Sequence, residues 1–374
     1  MIYLDNASTT PVAREVVETM LAALRDTYGN PSSGHRAGLD AARLLERARA
    51  IVAAALQADP DEVVFTSGGT EANNLALQGA VRADGRPGGH LVVSPIEHSS
   101  VLETAAFLEG QGVAVTRLPV DGEGRVDPDD VRRALRPDTR LVSIAPANHE
   151  VGTVQPVDAI AAACADAGIP LHLDACQAFT RVAFPADLAT LVSVNGHKIH
   201  GPKGVGVLRV RRGFPLPPLL HGGGQEGGLR SGTPNVPAIA GFGRAVQLAS
   251  PAENARQAGL RDAFLDRAQE ALPGARVFGS RTDRLCNNAC VGFDGVPGRE
   301  LVVALDRLGI QVSRGSACAS GSTRPSAVLT AMGVPATVAL TAIRVSVGRT
   351  TTMDDIEAAI AALKRVVASM RGGR

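Results

Sequence analysis

Short apolar strands alternate with helical stretches across the first two thirds of this chain, and no other feature constrains its fold as much. Glu62 to Thr66 is a β-branched run broken by Ser67-Gly68-Gly69, and Thr70 opens a helical stretch. His90 to Ser94, Val113 to Leu118, Leu141 to Ala145, Leu171 to Leu173 and Leu191 to Val194 continue the series. Between them, Val157, Ile160, Ala161 and Cys164 fall at i, i+3, i+4 and i+7, the spacing of one helix face. Such alternation builds βαβ units. It predicts an α/β fold with a mostly parallel central sheet flanked by helices on both faces. The pattern loosens between Gly222 and Pro237, and a long charged helix follows Pro251. For 374 residues, at roughly 100–200 per domain, two domains are expected. A large one spans 15–250, and a smaller α+β one combines 1–14 with 251–374.

Charge and composition exclude several classes. The 38 basic and 37 acidic residues nearly cancel, so nothing electrostatic favours direct nucleic-acid or membrane binding. Trp is absent and only two Tyr occur, which leaves no aromatic platform for single-stranded nucleic acid. No apolar run approaches the ~18 residues of a membrane span. Met1-Ile2-Tyr3-Leu4-Asp5 lacks the basic and then apolar pattern of a secretory signal. The five cysteines (Cys164, Cys176, Cys286, Cys290 and Cys318) form a sparse, odd set. Reduced thiols in the cytoplasm are expected. Cys286 and Cys290 have no His or Cys cluster beside them and read as core, so no metal site is expected.

Five segments carry chemistry. Gly68, Gly69 and Thr70, between a strand and a helix, suit an anion: glycine lets the backbone approach, and the helix N-terminus offers free N–H groups. An ordinary capped turn is the alternative. Asp174 ends an apolar strand, where folds of this type bind ligands, and a protonated pyridine nitrogen would partner it. Lys198 follows another strand, in Asn195-Gly196-His197-Lys198. In a dry pocket beside other cations such a lysine has a lowered pKa and forms a Schiff base. His98, in Glu97-His98-Ser99-Ser100, can stack on a ring and shuttle protons. Cys318 lies in Gly315-Ser316-Ala317-Cys318-Ala319-Ser320-Gly321, among small residues with no apolar face to bury it. It reads as an exposed nucleophile on a mobile loop. Arg344 alternates with Ile343 and Val345, so it faces away from the core side and could clamp a carboxylate.

At these residues the chain resembles the cysteine desulfurases, within the class V aminotransferases of pyridoxal-phosphate fold type I. The resemblance runs nearly end to end. It includes Tyr3 to Pro11, Gly29-Asn30-Pro31, Phe65 to Glu71, Glu97-His98, Asp174-Ala175-Cys176-Gln177, Gly196-His197-Lys198, Arg230 to Thr233 and Ser316-Ala317-Cys318. The cysteine segment looks like that of group I, the iron–sulfur-cluster and nitrogen-fixation branch. The resemblance implies that Lys198 carries pyridoxal 5′-phosphate and moves protons at Cα. It implies that Asp174 pairs with the pyridinium, Gln177 bonds the ring oxygen, His98 stacks on the ring and acts in acid–base steps, and Gly69, Thr70 and His197 hold the phosphate. Asn30 and Arg344 would bind the carboxylate of L-cysteine. Cys318 would take the sulfur as a persulfide, leave L-alanine, and pass the sulfur to an acceptor protein, an iron–sulfur scaffold or a thiolation enzyme. Thr233 would reach the phosphate of a partner subunit, which implies a homodimer. Two positions depart from the family. His149 stands where Asn is usual, so either His149 or Asn148 meets the cofactor. Asn195 stands where Ser is common and can still donate to phosphate. The C-terminus is shorter than the scaffold-docking tail of housekeeping members. Selenocysteine lyase, another β-elimination and a catalytically reduced sulfur carrier are the competing expectations.

Overall fold

The computed structural model describes residues 1–83, 85, 87–315 and 324–372. Strand β1 (Ile2–Tyr3) stands apart from the central sheet. That sheet has seven strands: β2 (Val63–Thr66), β3 (His90–Val93), β4 (Ala114–Arg117), β5 (Thr139–Ile144), β6 (Leu171–Asp174), β7 (Leu191–Asn195) and β8 (Gly206–Val210). Their order is β2-β8-β7-β6-β5-β3-β4. Strand β8 is antiparallel to both neighbours, and every other pairing is parallel. The other six strands therefore point one way, and their carboxyl ends share one edge.

Apolar side chains on both faces explain why these runs are strands. Leu91, Val93, Leu141 and Leu191 enter one core, while Val92, Val142, Leu173 and Val192 enter another on the opposite face. A strand buried on both sides reads as a continuous apolar run. One polar residue among them, His172 on β6, is satisfied sideways by Ser143 and Ser193 of the adjacent strands at 2.8 and 2.9 Å.

The remaining strands are β9 (Ala275–Phe278), β10 (Asn288–Phe293), β11 (Ile310–Gln311) and β12 (Ala342–Ser346). An antiparallel sheet β12-β10-β9 shares a third core with helices Pro251–Ala271, Gly298–Asp306 and Met353–Gly372. Ser250 caps the first of these from the Glu253 N–H, with Pro251 in its opening turn. Strand β1 pairs in parallel with β11. Just beyond it the chain turns to the large sheet: Thr10 and Ala13 donate to the carbonyls of His197 and His200. The segment between Asp5 and Ala13 thus joins the two halves beside Lys198.

Candidate active site

A cavity of about 740 Å³ opens at the shared carboxyl edge of the central strands. Its lining includes Gly69 and Thr70 after β2, Glu97 and His98 after β3, His149 and Glu150 after β5, Asp174 and Gln177 at β6, and Asn195, His197 and Lys198 at β7. Arg344 of β12 closes it from the other half.

Lys198 Nζ donates to the Ala7 carbonyl at 2.6 Å. Burial, with the Arg344 guanidinium nearby, pushes its amine down to about 8. Asp174 is buried and accepts from Asn73 Nδ2 at 2.7 Å and from the Cys176 N–H at 3.1 Å. Gln177 Nε2 donates to the same Ala7 carbonyl at 2.9 Å. The His98 ring lies edge-on to His149, centroids 5.5 Å apart. Burial lowers the basicity of both rings, that of His149 furthest. His197 is pushed to about 4 by burial and by Lys198, and its Nδ1 lies 3.2 Å from Thr9 Oγ1. Burial lifts the Glu97 carboxyl to about 8, so it is a neutral acid at pH 7.

Of the two candidates at the His149 position, Asn148 turns away. Its Nδ2 donates to the Ile96 carbonyl at 2.8 Å and its Oδ1 accepts from the N–H groups of Glu150 and Val151. With every polar atom engaged it contributes no surface to the cavity, whereas His149 does. Asn30 is also kept away. It is exposed, its Oδ1 caps the Ser32 N–H in a local turn, and it is absent from the cavity lining. Thr233 is exposed and outside the lining as well. Cys318 lies outside the described residues, which stop on either side of it at Gly315 and Arg324.

Arg344 lies on the strand face opposite to Ile343 and Val345, which enter the core of the smaller half. It is 2% exposed, because that face closes on the cavity. Its Nη1 donates to the carbonyls of His149 and Gly315, and its Nη2 to Asp5 Oδ1 and Ser8 Oγ. Its Nε has no partner. Sequence reasoning passed over Asn73 and gave no role to Ser100 or Cys176. A signal for Asn73 was present: it sits in the buried stripe Ala72, Asn73, Ala76, Leu77, Ala80 of helix Gly69–Val81. A polar residue in such a stripe needs a buried partner.

These residues suit pyridoxal phosphate. A lysine whose amine burial brings down to about 8 and a buried strand-end carboxylate share one cavity. Gln177 Oε1, Asn195 Oδ1 and Arg344 Nε are buried there without hydrogen-bond partners, although buried polar atoms are normally paired. At the start of helix Gly69–Val81, a Cβ on Gly69 would come within 2.4 Å of Cys176 Sγ, so any side chain there would force Cys176 to shift. Among the described residues no cluster could hold a metal ion, and no helix is long and apolar enough to cross a membrane.

Fold and cavity together define a pyridoxal-phosphate enzyme of the α/β type. Residues 2–359 match the family described as Aminotransferase class-V. A cysteine desulfurase IscS of Dictyoglomus turgidum is 42% identical over 99% of this chain and 95% of its own length. Among solved structures, a NifS-like protein superposes with a TM-score of 0.92 at 35% identity, covering 98% of this chain and 99% of that one. SspA in complex with cysteine superposes with a TM-score of 0.83 at 37% identity, covering 93% and 99%. The chain belongs to the class-V aminotransferases and, within them, to the cysteine desulfurases.

Proposed function

We propose that this enzyme converts L-cysteine to L-alanine and captures the released sulfur as a persulfide on Cys318. The observation that carries the reading is the meeting of Lys198, Asp174 and Arg344 in one cavity of a chain whose relatives are desulfurases. Bound pyridoxal phosphate supplies an electron sink for the substrate Cα. Lys198 holds it and, with an amine near pH 8, exchanges protons at Cα close to neutrality. Asp174 holds the protonated ring nitrogen, Gln177 the ring oxygen, and His98 with His149 the ring. Gly69, Thr70, Asn195 and His197 hold the phosphate. Arg344 takes the substrate carboxylate, for which its unpartnered Nε is suited. The sum balances without an added oxidant: cysteine and the Cys318 thiol give alanine and the Cys318 persulfide.

The partner roles belong to the same reading. The enzyme works as a homodimer in the cytoplasm, with Thr233 serving the neighbouring subunit's phosphate, and it hands its sulfur to an acceptor protein. The exposed position of Thr233, away from its own cavity, supports the first of these. The decisive experiment compares Lys198→Ala with Cys318→Ala. Lys198→Ala should lose the visible absorbance of the cofactor together with activity. Cys318→Ala should keep the absorbance and, in an assay with a thiol reductant that discharges a persulfide, lose sulfide release from cysteine. Undiminished sulfide release by Cys318→Ala would refute the persulfide step.

A further inference from the structure

The side-chain amide of Asn73 donates both its hydrogens, one to Asp174 Oδ2 at 2.7 Å and one to Ser100 Oγ at 2.8 Å. Asp174 fixes that orientation, since a flipped amide would set oxygen against carboxylate. Ser100 Oγ accepts from Asn73, so its own hydrogen is free for His98 Nδ1, 2.8 Å away. The Ser100 backbone N–H, which can only donate, reaches the same nitrogen at 3.1 Å. His98 Nδ1 therefore accepts twice and carries no proton. The neutral ring keeps its single hydrogen on Nε2.

We propose that Asn73 and Ser100 are positioning residues that lock His98 as its Nε2–H tautomer, so that the ring offers a hydrogen-bond donor and not a base. Protonating the ring means placing a hydrogen on Nδ1. That would break both bonds, and the one from the Ser100 N–H is the cap that His98 provides to helix Ser99–Glu109. The charged and titratable groups facing the ring are Asp174, Lys198, His149 and His197. Asp174 favours the charged ring, and burial and Lys198 oppose it. Base work at the substrate then falls to Lys198. This assignment of labour rests on the desulfurase reading, but the tautomer does not.

The test is nitrogen NMR of the holoenzyme labelled with 15N-histidine, with His98 assigned by comparison with His98→Asn. A neutral ring with a bare Nδ1 and a protonated Nε2 is expected. In Ser100→Ala the bare Nδ1 signal should move as it loses one donor, and kcat should fall about 5–10-fold, the scale of one hydrogen bond. Ser100→Thr should restore both. Asn73→Ala and Ser100→Ala should combine less than additively, as members of one chain do. A hydrogen on Nδ1 in the wild type would overturn the proposal. So would an Nδ1 signal that neither Ser100→Ala nor Asn73→Ala displaces. Because the tautomer is read without turnover, its failure is distinguishable from failure of the desulfurase reading.

Discussion

Burial and Arg344 bring the Lys198 amine down to about 8, and this has a measurable consequence for stability. An unfolded lysine titrates near 10.4. Below pH 8 both states are protonated and the folded, cofactor-free protein bears the whole penalty. Between pH 8 and about 10.4 the unfolded chain holds a proton that the folded one does not, so stability rises with pH. At about 1.4 kcal/mol per unit, the penalty is as much as about 3 kcal/mol. Cofactor-free Lys198→Met should therefore resist urea better than wild type at pH 7, with the gap closing as pH passes from 8 to 10.4. Glu97 titrates near 8 in both proteins and cancels in the difference. A gap independent of pH would contradict the depressed amine. Lys198 and Asp174 were legible as strand-end residues because the fold places ligands there. Asn73 signalled only that it needs a buried partner; its partners were not legible, since Asp174, Ser100 and Asn73 meet only when one strand and two helices are assembled.

The entry to helix Gly69–Val81 offers a sharper test at the scale of elements. A Cβ on Gly69 would meet Cys176 Sγ at 2.4 Å and Asn195 Nδ2 at 3.3 Å. Gly69→Ala should cost about 1–3 kcal/mol, the range for overpacking a dense site. Removing the sulfur should relieve it, because Cys176 Cβ stands at 3.8 Å. Gly69→Ala with Cys176→Ala should therefore recover most of the loss in chemical denaturation. Additive losses would mean that the strain lies elsewhere. Strands β2 to β7 were legible from their apolar runs, and β8 was not. It carries Arg209, a charge in the middle of Gly206–Val210, and follows directly on the Lys198 loop. The strand tolerates that charge because Glu62 takes the guanidinium at 3.1 Å and the Ala189 carbonyl accepts at 2.5 Å. Pairing of that kind, from strand to a distant residue, leaves no trace in local periodicity.

At the scale of the whole molecule, the two halves share the cavity. The large sheet supplies Lys198 and Asp174, and the smaller antiparallel sheet supplies Arg344. We propose 15–250 as one domain and 1–14 with 251–374 as the other. On that division the segment from Asp5 to Ala13 spans them, which matters because its Ala7 carbonyl receives both Lys198 and Gln177. Helix Arg14–Asp26 has a second apolar face that the single chain leaves uncovered. Val16 and Ala23 point inward and are buried, while Val17, Leu21 and Leu24, at i, i+4 and i+7, are exposed. Leu21 and Leu24 stay 58% and 59% accessible, a large apolar area to leave in water. The proposed homodimer would cover this stripe. Leu21→Glu with Leu24→Glu should then yield a monomer by sedimentation. The monomer should also bind pyridoxal phosphate more weakly than the dimer, since each site would lose the Thr233 of its neighbour. Thr233→Ala separates the two effects: it should weaken cofactor binding and leave the protein dimeric. A charge pair at Leu21 and Leu24 that left the dimer intact would remove this helix from the interface.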